Sequence, residues 1–454
     1  MVTTTRDLAP PGSGRFRCTE CGHEASRWFG RCPRCAGWST AEEAHGGASH
    51  TAAVTTLAHP SGEEPRWPTG IAEVDRVLGG GMVAGAAVLL AGEPGIGKST
   101  LVLQLVDALL ARRRRCLLVT GEESVTQVAL RARRLGVSVD DFRVTTARAI
   151  GDIVGVAAAE RPDTLVVDSV QSLEGAVDQP AGTVAQVREC AAALVRMAKG
   201  TGIAVLLVGH VTKDGAVAGP KALEHLVDVV LTLEGERSGA VRLLRASKNR
   251  YGSCEETGVF VMAERGLEAV ADPSSMLLAD RRPGVTGSVV FPALEGTRGV
   301  LTEVQALTSS TDGNHPQRVA IGLDQRRLAL LLGVLEERAK IKLGSKDVFA
   351  TAAGGLAVTE PGADLALALA LASAWLGRPL ARGMVAVGEV GLAGEVRRVP
   401  GLRRRLVEAA RLGFTVAVCP PGADDAPPGL QVRVVADVGS AIVAACLAEE
   451  TREP

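Results

Sequence analysis

Aromatic residues are scarce in this 454-residue chain, at 3% of the composition against 46% for hydrophobic residues as a whole. Its cores must therefore be built from alanine, valine and leucine. An excess of charge of either sign is lacking too, since the formal net charge is −1, and no global basicity points to nucleic acid. Any DNA contact must come from local patches. Three arginine-rich runs are candidates, although such runs are also typical of solvated helix faces: 112–115, 131–134 and 403–405.

Long apolar runs are also missing. The longest, at 365–376, is too short to cross a bilayer, and the N-terminus has no apolar stretch like that of a signal peptide. We therefore expect a cytoplasmic protein that does not bind a membrane. The length leaves room for two or three domains, each with a core of its own.

Lysine is rare, with eight lysines against 42 arginines, so a lysine inside a glycine-rich motif is informative. One lies in a stretch that fits the phosphate-binding pattern G-x-x-x-x-G-K-[ST]: Gly92, Glu93, Pro94, Gly95, Ile96, Gly97, Lys98 and Ser99. Backbone N–H groups of such a loop point at phosphate oxygens, the lysine reaches the terminal phosphates, and the serine hydroxyl holds Mg²⁺. A predicted strand precedes the loop and a predicted helix follows it, which favours an ATP site over a glycine-rich turn without a ligand.

Apolar runs at 116–120, 164–168 and 202–208 alternate with helical stretches, which predicts a doubly wound α/β sheet with its ligands at the strand ends. Asp168 ends one of these strands and is a candidate for ordering Mg²⁺ or its water shell. A simple helix cap is the alternative interpretation of Asp168.

Polar residues follow the other two strands. Glu122 or Glu123 is a candidate general base for the attacking water, although an exposed acidic turn would look the same. His210 is a candidate sensor of the γ-phosphate. These residues meet only if the three strands are neighbours in the sheet.

Four of the nine cysteines form two C-x-x-C motifs: Cys18, Cys21, Cys32 and Cys35. Each motif makes a tight turn that directs two thiolates at one point, and four sulfurs suit tetrahedral Zn²⁺. Disulfides are the alternative, and they fit a cytosolic ATPase poorly. Gly22 and Gly37 permit the tight backbone after each motif. We predict a zinc finger over residues 1–40 that depends on its metal for folding, and a flexible linker over 41–65.

Several motifs together resemble a known family. The order of phosphate loop, Glu122, the V-V-D-S-V stretch at 166–170 and the G-H pair at 209–210 resembles the RecA-type ATPase core. The K-N-R-Y-G stretch at 248–252, the segment 69–81 and the four cysteines narrow the resemblance to the bacterial RadA (Sms) family of DNA recombination and repair proteins. The resemblance implies a RecA-like ATPase domain over residues 66–272.

The same resemblance implies a function. It suggests a DNA-dependent ATPase, a branch-migration helicase that processes recombination intermediates. Its partners would be single-stranded and branched DNA and a recombinase, and it would form a homo-hexameric ring. The loop at 212–220 would contact DNA in the central channel, with Lys213 touching phosphate, although a disordered surface turn is the simpler interpretation.

Lys248 and Arg250 alternate along the chain, so on an extended segment both project to one side. The resemblance implies that they act on the γ-phosphate bound by a neighbouring subunit, as an arginine finger does in trans. A solvated basic turn is the alternative. The family has phenylalanine at the fourth position of this motif, where this chain has Tyr251, its only tyrosine.

The C-terminal part, 280–454 with its core at 347–454, resembles the α+β proteolytic domain of Lon. Motif spacing places the family's catalytic serine on Gly362 and its lysine on Arg405. Glycine has no hydroxyl, and arginine stays protonated, so neither can do the chemistry. We expect a non-proteolytic oligomerisation scaffold. A Lon-type ATP-dependent protease and a RecA-like regulatory ATPase are the rival functions.

Overall fold

The computed structural model describes residues 16–25, 27–43, 65–175, 177, 179–210, 220–235, 239–311, 315–423 and 426–446. The chain divides into two compact units, Met1–Glu63 and Glu64–Pro454. Most of the predicted 41–65 linker and all but the last residue of the predicted 212–220 DNA loop lie outside the described residues. Within the described part of the chain, every helix is too short or too polar to span a bilayer.

The first unit is a small antiparallel sheet. Its strands are β1 (Phe16–Cys18), β2 (Glu24–Ala25) and β3 (Ala41–Glu43), in the order β2-β1-β3. Ordered structure thus continues to position 43, three residues beyond the predicted end of the zinc finger at 40. Gly22 has the expected left-handed backbone, with φ of 72°. After the second motif the left-handed residue is Ala36 rather than Gly37; Gly37 leaves room for the Glu20 carboxylate, since a Cβ there would lie 2.4 Å from Glu20 Oε2.

The second unit opens with a hairpin, β4 (Arg66–Trp67) and β5 (Met82–Val83), followed by a nine-stranded sheet. The sheet strands are β6 (Ala87–Gly92), β7 (Cys116–Thr120), β8 (Arg143–Thr145), β9 (Thr164–Asp168), β10 (Ala204–His210), β11 (Val229–Glu234), β12 (Val241–Asn249), β13 (Thr257–Ala263) and β14 (Gly266–Ala269). Their order is β14-β13-β12-β11-β6-β10-β9-β7-β8. Strands β6 to β11 run parallel, and β12 to β14 extend the sheet as an antiparallel meander.

Helices cover both faces of this sheet. They are α1 (Ala72–Leu78), α2 (Lys98–Ala111), α3 (Val125–Arg134), α4 (Ile150–Glu160) and α5 (Val184–Thr201). Successive residues of a strand point to opposite faces, so Val88 and Leu90 of β6 pack with α2, while Ala87 and Leu89 pack with α4 and α5. This two-sided burial explains the unbroken apolar runs in the sequence.

Cap residues set where the helices begin and end. Ser124 and Gln127 form a capping box at the start of α3, which satisfies two orphan N–H groups. Thr183 caps α5, which ends at Gly202 in the left-handed conformation.

The C-terminal part is a seven-stranded mixed sheet in the order β17-β18-β16-β15-β19-β22-β23. The elements here are β15 (Ser288–Glu295), β16 (Arg298–Ser310), β17 (Arg318–Ile321), β18 (Lys346–Ala352), β19 (Met384–Ala386), β20 (Glu389–Val390), β21 (Val396–Arg397), β22 (Val416–Cys419) and β23 (Gln431–Val434), with helices α6 (Pro273–Leu277), α7 (Gln325–Ala339), α8 (Asp364–Leu376), α9 (Leu402–Arg411) and α10 (Val438–Cys446). Two of the central strands, β15 and β16, precede the expected core at 347–454. Their apolar residues share one cluster with α8, so this core begins near residue 288.

Helix α8 lies at the centre of this cluster. Its residues from Asp364 to Ser373 are all buried, as expected of a helix that is apolar on every side. Ser373 Oγ accepts a hydrogen bond from Gly287 N at 2.9 Å and donates to Arg378 O at 2.6 Å. It is therefore a buried structural residue.

Candidate nucleotide site and metal centre

The four clustered cysteines converge as their spacing predicts. All four Sγ atoms lie within 4.8 Å of one another, and the Cys18–Cys35 and Cys21–Cys32 sulfur pairs are each 3.6 Å apart. A zinc ion about 2.3 Å from four sulfurs would set them about 3.8 Å apart, whereas a disulfide needs about 2.05 Å. The arrangement fits a tetrahedral metal ion and excludes the disulfide alternative for these pairs in this structure.

The phosphate loop lies between β6 and α2, where the sequence predicts it. Gly97 has φ of 117°, and a Cβ there would lie 2.9 Å from Met262 Cε. A Cβ on Gly92 would lie 2.7 Å from Leu233 O. Backbone conformation therefore favours glycine at 97, and the close approach of a backbone oxygen requires it at 92.

Lys98 begins α2, and its residue is only 4% exposed. Its Nζ donates hydrogen bonds to Gly92 O at 2.8 Å and to Glu93 O at 3.0 Å, so the ammonium group is folded back onto the loop. Burial lowers the pKa of Lys98, while the charges of Asp168 and Glu122 oppose that shift. An anion entering the loop would relieve this burial penalty, because it would pair with the ammonium group.

Strands β7, β9 and β10 are neighbours in the sheet, so the predicted residues at their ends do meet. Asp168, Glu122 and His210 line one small cavity together with Ser99. The Ser99 hydroxyl hydrogen-bonds the Asp168 carboxylate. The pKa of Asp168 is raised above its ordinary value by burial and by the nearby charge of Glu122, while the hydrogen bond from Ser99 opposes this shift. A hydroxyl and a carboxylate beside a phosphate loop are the oxygen ligands that Mg²⁺ prefers.

The two adjacent glutamates differ in their contacts. Glu122 accepts a hydrogen bond from Ser169 Oγ and lies 3.7 Å from His210 Nε2. Glu123 forms an ion pair with Arg131 instead. Glu122 is therefore the better candidate for orienting water, since Glu123 is already paired. Sequence reasoning missed Ser169, although it follows Asp168 directly.

Lys248 and Arg250 lie near the amino end of strand β6, whereas the phosphate loop of their own chain follows its carboxyl end. Arg250 N donates to Asp228 O, and Asp228 N donates to Ala87 O at the start of β6. The loop begins at the other end of β6, five residues further on at Gly92, which is about 16 Å along a parallel strand. Neither cation is placed to reach the phosphates of its own subunit.

Both cations hold the segment that leads into β11. Lys248 Nζ donates to Glu224 O and Val227 O, each at 2.7 Å. Arg250 Nη1 lies 3.2 Å from Asp228 Oδ1. The two side chains thus contact the same stretch of their own subunit.

Asp228 anchors this cluster, and nothing in the sequence pointed to it. Its other oxygen accepts from Ala87 N at 2.9 Å and from Lys199 Nζ at 2.7 Å. Burial alone would raise the pKa of Asp228, but these hydrogen bonds and the positive charges of Lys199 and Arg250 hold it below its ordinary value. The Tyr251 hydroxyl lies 3.1 Å from Lys199 Nζ, a contact that phenylalanine could not make.

The two positions predicted for the Lon serine and lysine, Gly362 and Arg405, are packed into the fold. Gly362 is buried, and a Cβ there would lie 3.3 Å from Glu360 Oε2. Arg405 is 2% exposed and pairs with Glu360 through two bonds of 2.9 and 2.5 Å. Its Nη1 also donates to Pro292 O at 2.8 Å. A guanidinium group held in this way forms a structural ion pair and is unsuited to act as the base of a protease dyad.

Three family models match the chain. Residues 16–43 match a rubredoxin metal binding domain, residues 55–216 an AAA domain, and residues 345–426 the Lon protease (S16) C-terminal proteolytic domain. The first agrees with four clustered thiolates, and the second with the phosphate loop. These matches support ATP and zinc as ligands.

Proteins of similar sequence are known over nearly the whole length. The chain is 48% identical over 442 residues to a protein of Pseudomonas aeruginosa named DNA repair protein RadA, covering 94% of this chain and 97% of that one. Proteins of the same name from Mycobacterium tuberculosis and Escherichia coli are each 44% identical, again over 94% of this chain and over 92% and 97% of theirs.

Proposed function

This chain belongs to the RadA family of DNA repair proteins, and from that premise we propose that it is a DNA-dependent ATPase and branch-migration helicase. The family and the AAA domain show a DNA repair ATPase. Our proposal adds single-stranded DNA as its activator and branched recombination intermediates as its substrate. The observation that supports it is the place of Lys248 and Arg250, far from the phosphate loop of their own chain.

In the proposed hydrolysis, residues 92–99 bind the phosphates of ATP and Lys98 turns from the loop carbonyls to the terminal phosphates. Ser99 and Asp168 would hold Mg²⁺, which supplies positive charge beside the transferred phosphoryl group. Glu122, oriented by Ser169, accepts a proton from the attacking water. His210 lies 3.7 Å from Glu122, so it can relay the state of the γ-phosphate to the segment that follows β10.

Lys248 and Arg250 supply the missing cations from the neighbouring subunit. Their place at the end of the strands opposite to the phosphate loop supports this assignment. An interface that joins two different surfaces of successive subunits generates a ring or a helix. We propose a hexameric ring. An arginine finger in trans contributes roughly 10³–10⁵ in rate in other NTPases, so isolated subunits should hydrolyse ATP slowly.

The proposed DNA contact is the loop 212–220, which in the sequence lies between His210 and the stretch held by Lys248. Lys213 in this segment is the proposed phosphate contact. A recombinase is the proposed protein partner. The C-terminal part is proposed to be a non-proteolytic scaffold, because Gly362 and the Glu360–Arg405 pair occupy the position of a protease dyad.

The test is ATP hydrolysis by the full chain with and without single-stranded DNA, followed by migration of a three-strand DNA junction. We expect single-stranded DNA to stimulate ATP hydrolysis, and we expect junction movement to require that hydrolysis. Lys98→Ala is the control that should abolish both. A hydrolysis rate that single-stranded DNA leaves unchanged would exclude a DNA-dependent enzyme and favour a regulatory ATPase.

A further inference from the structure

Aromatic side chains are concentrated in the first unit. The whole chain has 12 of them, and four lie within residues 16–43: Phe16, Trp28, Phe29 and Trp38. Trp28 is 64% exposed and Trp38 is 72% exposed, whereas Cys18 and Cys32 form the buried centre of the unit. The two tryptophans therefore do not stabilise a core. Tryptophan is enriched at interaction surfaces, where its large ring is available for contact.

Both tryptophans flank one short backbone bridge. Arg31 and Trp38 pair as an isolated antiparallel bridge, and Ser39 N donates to Gly30 O at 2.9 Å. The Trp28 ring lies against Gly30, where a Cβ would be 3.4 Å from Cη2 of the ring. Trp38 is thus part of this bridge, and the Trp28 ring lies against Gly30 beside it; we call the two residues the tryptophan pair.

The sequence that carries the tryptophan pair is basic. Residues 27–39 contain Arg27, Arg31 and Arg34 and no aspartate or glutamate, and all three arginines are exposed. The Arg31 guanidinium lies 5.7 Å from the centre of the Trp38 ring, within the range of a cation–π contact. Within 16–43 the acidic residues are Glu20, Glu24, Glu42 and Glu43, and of these Glu20 lies close to the second cysteine motif, with its Oε2 3.7 Å from Cys35 Sγ.

We propose that the tryptophan pair is a second DNA contact, which stacks on unpaired bases of single-stranded DNA while the adjacent arginines contact phosphates. Exposed aromatic rings beside cations are the combination by which proteins bind single strands without sequence preference, because every base has a π-face. Paired bases in a duplex are already stacked on each other, so the surface selects single strands. The proposed channel loop 212–220 has no aromatic residue, so the two contacts differ in chemistry.

The test measures binding of the full chain to a thymine homopolymer and to an abasic strand of equal length. Trp28→Ala/Trp38→Ala should weaken homopolymer binding at least tenfold, since base stacking on one aromatic ring is worth about 1–3 kcal/mol. Abasic binding should change little, because the phosphates remain. Trp375→Ala, which removes an exposed tryptophan at the end of α8, is the matched control. Zinc content near one per chain shows that the unit is still folded.

The conservative variant Trp28→Phe/Trp38→Phe should recover most of the homopolymer affinity, since it restores the rings. Homopolymer binding within twofold of wild type in the alanine variant would overturn the proposal. An equal loss for both strands would also overturn it, because the variant would then have acted on phosphate contacts or folding. Unchanged DNA binding with lost binding of an acidic peptide would assign the surface to a protein partner instead. The readout is binding without ATP, so it stands apart from failure of the proposed ATPase function.

Discussion

Replacing Arg405 by alanine should destabilise the C-terminal part strongly. The substitution leaves the Glu360 carboxylate with Leu294 N, at 3.1 Å, as its remaining backbone donor, and it removes the donors to Pro400 O and Pro292 O. Breaking a buried ion pair from one side costs about 3–5 kcal/mol. The Glu360 side chain is 30% exposed, so water compensates in part and we expect the lower figure, about 3 kcal/mol.

Hydrogen exchange of α8 peptides measures this change locally, which avoids treating a multidomain chain as two-state. A decrease of about 3 kcal/mol in the free energy of unfolding should speed hydrogen exchange through the unfolded state by about 150-fold. Arg404→Ala is the matched control, because Arg404 is 55% exposed and lies 3.9 Å from Glu255; it should change exchange by less than about threefold. Equal exchange in the two variants would refute the structural role of Arg405.

Three further outcomes are expected. Gly362→Ser/Arg405→Lys should not digest casein with ATP, because Glu360 would keep the new lysine charged and unable to act as a base; any digestion contradicts this. Arg411 holds the pKa of Asp272 below its ordinary value through a bidentate pair. The pair therefore stabilises the folded state at pH values above about 3.9, the pKa of an unfolded aspartate. This stabilisation is lost as the pH falls below that value. The Tm of Asp272→Asn should therefore be lower than that of wild type at neutral pH, and the difference should narrow in acid; a constant difference would exclude the pair as its cause. Chelation of zinc should unfold the first unit, because metal binding and folding are coupled. Its thiols should then react with a thiol reagent, and circular dichroism should show a loss of structure. Unreactive thiols after metal removal would contradict this.

The local parts of the ATPase fold could be predicted from sequence. Strands Cys116–Thr120 and Thr164–Asp168 have the predicted bounds, because a strand buried on both faces leaves an unbroken apolar run. The phosphate loop and the cysteine motifs were found because their chemistry demands fixed spacing.

Long-range contacts were out of reach of the sequence. Asp228 pairs with Arg250, and its backbone N–H bonds Ala87, 141 positions away in the chain; no local pattern encodes such a contact. Glu360 is an ordinary glutamate until the fold places it against Arg405. Ala36 takes the left-handed conformation that was expected of a glycine, since the second knuckle turns one residue earlier than Gly37.

The central claim is that two subunits build each ATP site, and mixing two inactive variants tests it most directly. Lys98→Ala has a defective loop and an intact Arg250, and Arg250→Ala has the reverse. In randomly mixed rings half of the loops are intact and half of their neighbours carry the arginine, so about a quarter of the wild-type ATPase rate should return.

Lys98→Ala mixed with Asp168→Asn is the control, because both changes lie in the same half of the site and no intact site can form. The account predicts recovery in the first mixture and none in the second. ATPase activity that stays at the background of the separate variants in both mixtures would contradict it.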